Sequence, residues 1–214
     1  MIDIAPLLTL FTVHIVALMS PGPDFALVVQ NASRFGRNTG VMIALGLSVG
    51  ILCHATLSLL GVSLLISQHP LLFSAIRFLG GSYLLWLGIN ALRGCLSQDE
   101  SPALDEKNQL LQQRRQAFTK GFTTNILNPK ALIFFVSLLS SLVPAGMTLG
   151  TKLGAISILW LTSFAWFGFL AWLLTGKRMQ KIMLSLAPFI DGVCGTLFTL
   201  VGGGLVWQTA SSLL

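Results

Sequence analysis

Long apolar runs separated by short polar clusters dominate this chain. No Lys, Arg, Asp or Glu falls in 4–23, and after Asp24 the apolar pattern resumes over 25–33 before Arg34. The uncharged stretch 38–76 is too long for one membrane crossing and short for two. Its SQHP cluster at 67–70 marks a turn, so a second helix ends near Ile66 and a third covers 71–92, with Arg77 snorkelling from its first turns. Two further runs, 131–151 and 153–176, are bounded by Lys130, Lys152 and Lys177, and a last one covers 188–208. About 20 apolar residues cross a bilayer as one helix. The pattern therefore predicts an all-α membrane protein with six transmembrane helices. The hydrophilic stretch 93–120 separates 1–92 from 121–214 within one transmembrane domain. Its LDEKNQLLQQRRQAF core either lies along the membrane surface or stays solvated.

Composition narrows the class. Hydrophobic residues make up 54% and charged residues 9%, whereas a soluble domain carries roughly a quarter charged residues. The net charge of +6 comes from basic residues placed between apolar runs, not clustered on one solvated face, so no nucleic-acid partner is expected. Cys53, Cys95 and Cys194 are widely separated and form no CxxC pair. Neither a disulfide framework nor a metal site is expected, and no cofactor. The N-terminal MIDIAP lacks the basic region of a cleavable signal.

Basic residues orient the spans. With six crossings, one side receives Arg34, Arg37, Arg93, Lys107, Arg114, Arg115, Lys120, Lys130, Lys177, Arg178 and Lys181, and the other only Arg77 and Lys152. This bias predicts 93–120 in the cytoplasm and both termini outside.

The halves share features. GGSYLLWLG in the third segment and CGTLFTLVG in the sixth place Gly81 and Gly88, then Gly195 and Gly202, at matching positions 114 residues apart. VALMS at 16–20 resembles VSLLS at 136–140, and each precedes a proline. Three-helix halves insert in opposite orientations, the inverted-repeat layout of many transporters. Close helix packing is the other explanation of such glycines. Gly46 and Gly50 form a GxxxG that either packs helices internally or makes a homodimer seam.

Helix breaks carry the candidate chemistry. In Ser20-Pro21-Gly22-Pro23-Asp24 two prolines remove backbone donors, about 24 Å after Ile4 at ~1.5 Å per residue and toward the cytoplasmic side. Lipid tolerates such a break only where protein or a water-filled cavity surrounds it. Freed carbonyls such as those of Met19 and Ser20 suit an ammonium, and the next half-helix N-terminus suits an anion. Asp24 is either a substrate or coupling group there or a plain cap. In NILNPKA, Asn128 and Pro129 signal a helix start, leaving Asn125, Asn128 and Lys130 as amide and ammonium partners for a zwitterion, with Lys130 also a partner for Asp24. SSLVPAG at 140–146 supplies another proline break, expected to correspond to SPGP and face outside. Asp191, near the start of the last span, is either hydrated or paired with Lys181, or else a titrating group for proton coupling or a partner of a basic residue across the cavity. His14 and His54 are either hydrogen-bonded packing or a proton relay. Trp160, Trp166 and Trp172 share the fifth helix, and Trp207 suits an interfacial belt.

VHIVALMSPGPDF, GRNTGVMIALGLSVG and TNILNPKALIFF resemble the LysE/RhtB family of small amino-acid exporters over nearly the whole chain. Residues 14–25, with FIDG at 189–192, are most similar to its threonine-efflux branch. Gly192 replaces a basic residue that many members carry after the acid. The resemblance implies an inner-membrane exporter of threonine, homoserine or related amino acids, driven by protons. The partners implied are a small amino acid, protons and the lipid bilayer. Two other classes compete. A structural or regulatory membrane protein has no need of acids beside helix breaks. An intramembrane hydrolase built from His14, Ser20 and Asp24 has no evident oxyanion hole, and HExxH is absent.

Overall fold

The structure, a computed structural model, describes residues 4–96, 114–142, 147–174 and 176–211. These residues are helical throughout, in the order α1 (Ile4–Met19), α2 (Pro23–Phe35), α3 (Arg37–Gln68), α4 (Pro70–Leu96), α5 (Arg114–Ile126), α6 (Pro129–Leu142), α7 (Leu149–Leu173) and α8 (Lys177–Ser211). Four helices hold stretches long and apolar enough to cross a membrane: Arg37–Gly61, Leu71–Gly94, Leu149–Leu173 and Ser185–Ser211. Two bent pairs, α1 with α2 and α5 with α6, bring the total to six when each counts as one span. The bends are 56° and 57°. Leu57, Leu71, Trp86, Leu200 and Trp207 stand exposed on the outside of the bundle. An apolar surface of this kind is satisfied by lipid tails.

Local sequence explains the ends. Pro21 and Pro23 deny α1 a continuation, and α2 begins at Pro23, where a missing N–H is harmless. Gly36 separates α2 from α3 at φ 86°, in the left-handed region that glycine enters without a Cβ penalty. Thr148 caps α7, its Oγ1 accepting from the Thr151 amide at 3.3 Å. Pro188 lies inside α8, so the last helix starts well before the predicted 188.

The fourth span departs most from the sequence reading. It was expected over 131–151, but α5 begins at Arg114, inside the stretch read as a loop, and joins α6 at a bend across Leu127 and Asn128. Residues 104–113 of the amphipathic segment lie outside the described residues. Helix α5, 13 residues long, is too short to register as a span on its own; Ala117, Gly121 and Asn125 are its buried residues, and Arg114, Arg115, Thr119 and Lys120 are exposed. Cβ atoms added at Gly46 and Gly50 of α3 would strike the Phe118 carbonyl and the Asn125 side chain of α5, and one at Gly121 would strike the Ile43 carbonyl. The GxxxG of α3 thus serves a contact within the chain. The bend that matches SPGP in angle is the Asn128-Pro129 junction, and the break expected at SSLVPAG falls on residues that are mostly not described. Helix α6 continues through Leu142, and 143–146 lie outside the described residues.

A second glycine contact joins α4 to α8. A Cβ at Gly81 would approach the Gly202 carbonyl, and one at Gly202 the Gly81 carbonyl; Gly88 and Gly195 are related in the same reciprocal way. At one end of this pair Arg77 Nη2 donates to Gln208 Oε1. At the other end of the bundle Arg37 lies over the Trp172 ring, 5.3 Å from its centroid. Such pairings let charged ends meet polar or π partners near the membrane surface.

Candidate functional site

The two breaks meet. Helix α2 presents Asp24 in its first turn, and the end of α5 with the start of α6 presents Asn125, Asn128 and Lys130. Asn125 Nδ2 donates to Asp24 Oδ2 at 2.6 Å, and Asn128 Nδ2 donates to Asp24 Oδ1 at 3.2 Å. Each carboxylate oxygen is therefore held by a neutral amide from the opposite half of the chain. Asn128 Oδ1 also accepts from the Lys130 backbone amide at 3.0 Å, which caps α6 in the manner its Asn-Pro sequence predicts.

Lys130 crosses to the first break. Its Nζ donates to Ser20 Oγ at 2.7 Å and to the Pro21 carbonyl at 3.4 Å. The freed carbonyl that meets an ammonium is thus Pro21's, not those expected of Met19 and Ser20. The expected partnership with Asp24 is not a hydrogen bond: Asp24 is held by amides, and it acts on Lys130 only electrostatically, as Asp191 does from α8. Lys130 Nζ also lies 5.8 Å from the centre of the Phe198 ring. Lys130 sits at a helix junction within a bent pair and Lys120 inside its first helix, so neither counts as a loop charge.

Around these groups lies a cleft, part enclosed and part open. Ser20, Gly22, Pro23, Asp24, Asn125, Asn128 and Lys130 line its polar side, and Phe25, Phe134, Phe135, Phe167 and Phe198 line much of the rest. Ser20, Asn125 and Asn128 are buried, and Asp24 and Lys130 are half-buried. Asn125 is fully enclosed against Gly50; its Oδ1 has no hydrogen-bond partner, while its backbone carbonyl accepts from or faces His54 Nε2 at 3.1 Å. Pro129 is exposed at the start of α6.

Both histidines are buried and hydrogen-bonded. His14 Nε2 lies 2.9 Å from Ser163 Oγ and 3.3 Å from the Leu159 carbonyl, tying α1 to α7. His14 also lines the cavity. The ring of Phe135 lies between the two, 5.7 Å from His14 and 6.1 Å from His54, with His54 stacked on it. Asp191, half-buried, stands off the cavity wall, less than two turns into the apolar stretch Ser185–Ser211 of α8, near the start of the span as expected. The side chain of Lys181, its other expected partner, lies outside the described residues.

Sequence reading passed over the phenylalanines and Cys194. The Sγ of Cys194 donates to the Val16 carbonyl at 3.1 Å, holding α8 against α1. Phe134 and Phe135 follow Lys130 by about one turn, a spacing that puts one of an adjacent pair on the same face as the lysine. Inside an apolar run, that signal is indistinguishable from lipid-facing aromatics. The hydrolase arrangement does not form. Ser20 Oγ is bound to Lys130, His14 to Ser163 and Asp24 to two asparagines, so the three make no nucleophile–base–acid chain.

Comparison with known proteins points the same way as this geometry. No solved structure matches the chain. The chain is similar to the threonine efflux protein of Salmonella typhi, 38% identical over 198 residues covering 92% of this chain and 96% of that protein. It is similar to the threonine efflux protein of Escherichia coli K12, 38% identical with 93% and 96% covered. An uncharacterized membrane protein of Haemophilus influenzae is 28% identical, with 97% of this chain and 99% of that protein covered. The LysE type translocator family matches residues 15–209. With broken helices meeting at a polar cavity and a family match from one end of the fold to the other, the chain belongs to the LysE type translocators.

Proposed function

We propose that this protein exports a small polar amino acid, threonine or homoserine first, from the cytoplasm across the inner membrane in exchange for protons. One observation carries the reading. Asp24 of one broken helix is held by Asn125 and Asn128 at the other break, beside Lys130, on the wall of one cleft. Charged groups at membrane depth are costly and are retained chiefly where they act on a substrate or ion. The named relatives support the choice of amino acid.

In this reading a zwitterion lies across the cavity. Its ammonium group faces the hydroxyl and carbonyl oxygens at the first break, and its carboxylate faces the amides and the positive end of α6. Phe134, Phe135, Phe167 and Phe198 limit the room for the side chain, which favours a small one. Asp24 supplies the titrating group for proton exchange, with Asp191 as a further charge near Lys130.

The two series 4–96 and 114–211 each consist of a bent pair followed by two long helices. The reciprocal contacts Gly81–Gly202 and Gly88–Gly195 map onto one another under a shift of 114 residues. Both features support inverted copies rocking about the α4–α8 seam. The basic bias supports a cytoplasmic connection between α4 and α5 and both termini outside. Efflux from proteoliposomes preloaded with a panel of amino acids tests the function. Threonine and homoserine should leave fastest; a panel that leaks no faster than from empty-membrane controls would end this reading.

A further inference from the structure

We infer that Lys130 is a tethered stand-in for the substrate's amino group: its ammonium fills the subsite made by Ser20 Oγ and the Pro21 carbonyl while the cavity is unloaded, and an entering amino acid displaces it toward Asp191. This rests on the export reading above, and adds which group the first break receives and what occupies it meanwhile.

Chemical identity is the first argument. Lysine's ε-ammonium and an amino acid's α-ammonium are the same donor, a compact cation with three N–H bonds. The hydroxyl at 2.7 Å and carbonyl at 3.4 Å that receive the one can receive the other. The second argument is that the seat is releasable. Both acceptors are neutral, and the two nearby carboxylates act on Lys130 without a hydrogen bond to it. Asp24 is already held by Asn125 and Asn128, so it does not clamp the ammonium in place.

The third argument is that a second seat lies along one face of α8. Asp191, Cys194 and Phe198 follow at helical spacing on that helix, and the Phe198 ring centre lies 5.8 Å from Lys130 Nζ. A flexible four-carbon stem can swing along this face. Gly22 leaves the approach open, since even an added Cβ there would stand 3.6 Å from Nζ. Such a device keeps the cation subsite filled in the empty transporter and charges the substrate for displacing it. Apparent affinity is lowered by the fraction of protein that is already occupied.

Full-length Lys130→Ala, purified in detergent, tests this with ethylammonium as the probe of the vacated subsite. Ethylammonium should raise the melting temperature of the variant and compete with threonine for it, while leaving the wild type unmoved. Threonine should bind the variant roughly three- to tenfold more tightly than the wild type. Lys130→Met keeps the apolar stem and should show the same tightening where the alanine variant fails to fold. Asp191→Asn should weaken threonine binding in the wild type but not in the Lys130→Met background, because the second seat then has no occupant. Weaker or unchanged threonine binding in Lys130→Met would overturn the inference, as would a Lys130→Ala variant indifferent to ethylammonium. The amine response needs no amino acid. If it is present while threonine binds neither protein, the stand-in survives and the export of threonine falls.

Discussion

Asp24 and Asn125 stand 101 positions apart in the chain, yet the Asn125 amide donates to the Asp24 carboxylate at 2.6 Å. That bond joins the two broken helices. It also places the acid where protein, not lipid, surrounds it, since Asn125 is itself wholly enclosed by α3 and α5. The close approach of α3 and α5 is therefore a condition for the site, and glycines set it.

Gly50→Ala is expected to disturb both stability and transport. The new methyl would strike the Asn125 side chain, and Gly46→Ala would strike the Phe118 carbonyl. Overpacking of this kind costs about 1–3 kcal/mol. Gly61→Ala and Gly203→Ala, where nothing lies within 4 Å of the added atom, should be close to neutral. Melting curves in detergent compare the four; equal melting of all of them would contradict the packing described.

How far the sequence revealed this architecture depended on whether hydropathy or contact was the source of each element. The four long apolar stretches were visible because lipid demands continuous hydrophobicity, and SPGPD was visible because two prolines interrupt it. Helix α5 was hidden. Its exposed and buried faces, RRQAFTKGFTTNI, look like a loop until Gly46, Gly50 and Gly121 bring α3 against it. The bend at Asn128-Pro129 was only half visible for a related reason: its residues read as a helix start, but the helix before it, α5, was unrecognised. The site residues Ser20, Asp24, Asn125, Asn128 and Lys130 were named, but their pairing was not. Nothing in one sequence says that Lys130 bonds Ser20 rather than Asp24. The phenylalanine lining was missed because a cavity-facing aromatic and a lipid-facing one read alike.

The histidines are expected to be structural. Ser163→Ala leaves His14 Nε2 with only the longer contact to the Leu159 carbonyl, and interhelical hydrogen bonds in membranes are worth about 0.6–2 kcal/mol. A fall of that size in unfolding free energy is expected, with proton coupling unchanged. His14→Gln should likewise keep its proton-driven efflux per folded molecule. A variant that folds normally yet loses uphill transport would make His14 a proton carrier instead.

Topology is expected as both termini outside and the α4–α5 connection inside. In a background lacking Cys53, Cys95 and Cys194, Asn108→Cys should react with an impermeant thiol reagent only after the cells are opened. Labelling in intact cells would reverse the orientation and, with it, the side to which each break faces.

The central claim is that the groups gathered at the two breaks couple amino-acid movement to protons. Asp24→Asn keeps the size of the side chain and one acceptor for the two asparagine amides, but it cannot ionise. Uphill threonine transport into or out of proteoliposomes under an imposed pH gradient measures the coupling directly. The wild type should concentrate threonine against its gradient. Asp24→Asn should lose at least about tenfold of that uphill rate, a loss of about 1.4 kcal/mol or more in driving the coupled step, while still exchanging labelled for unlabelled threonine. Uphill transport by Asp24→Asn at the wild-type rate would contradict the account.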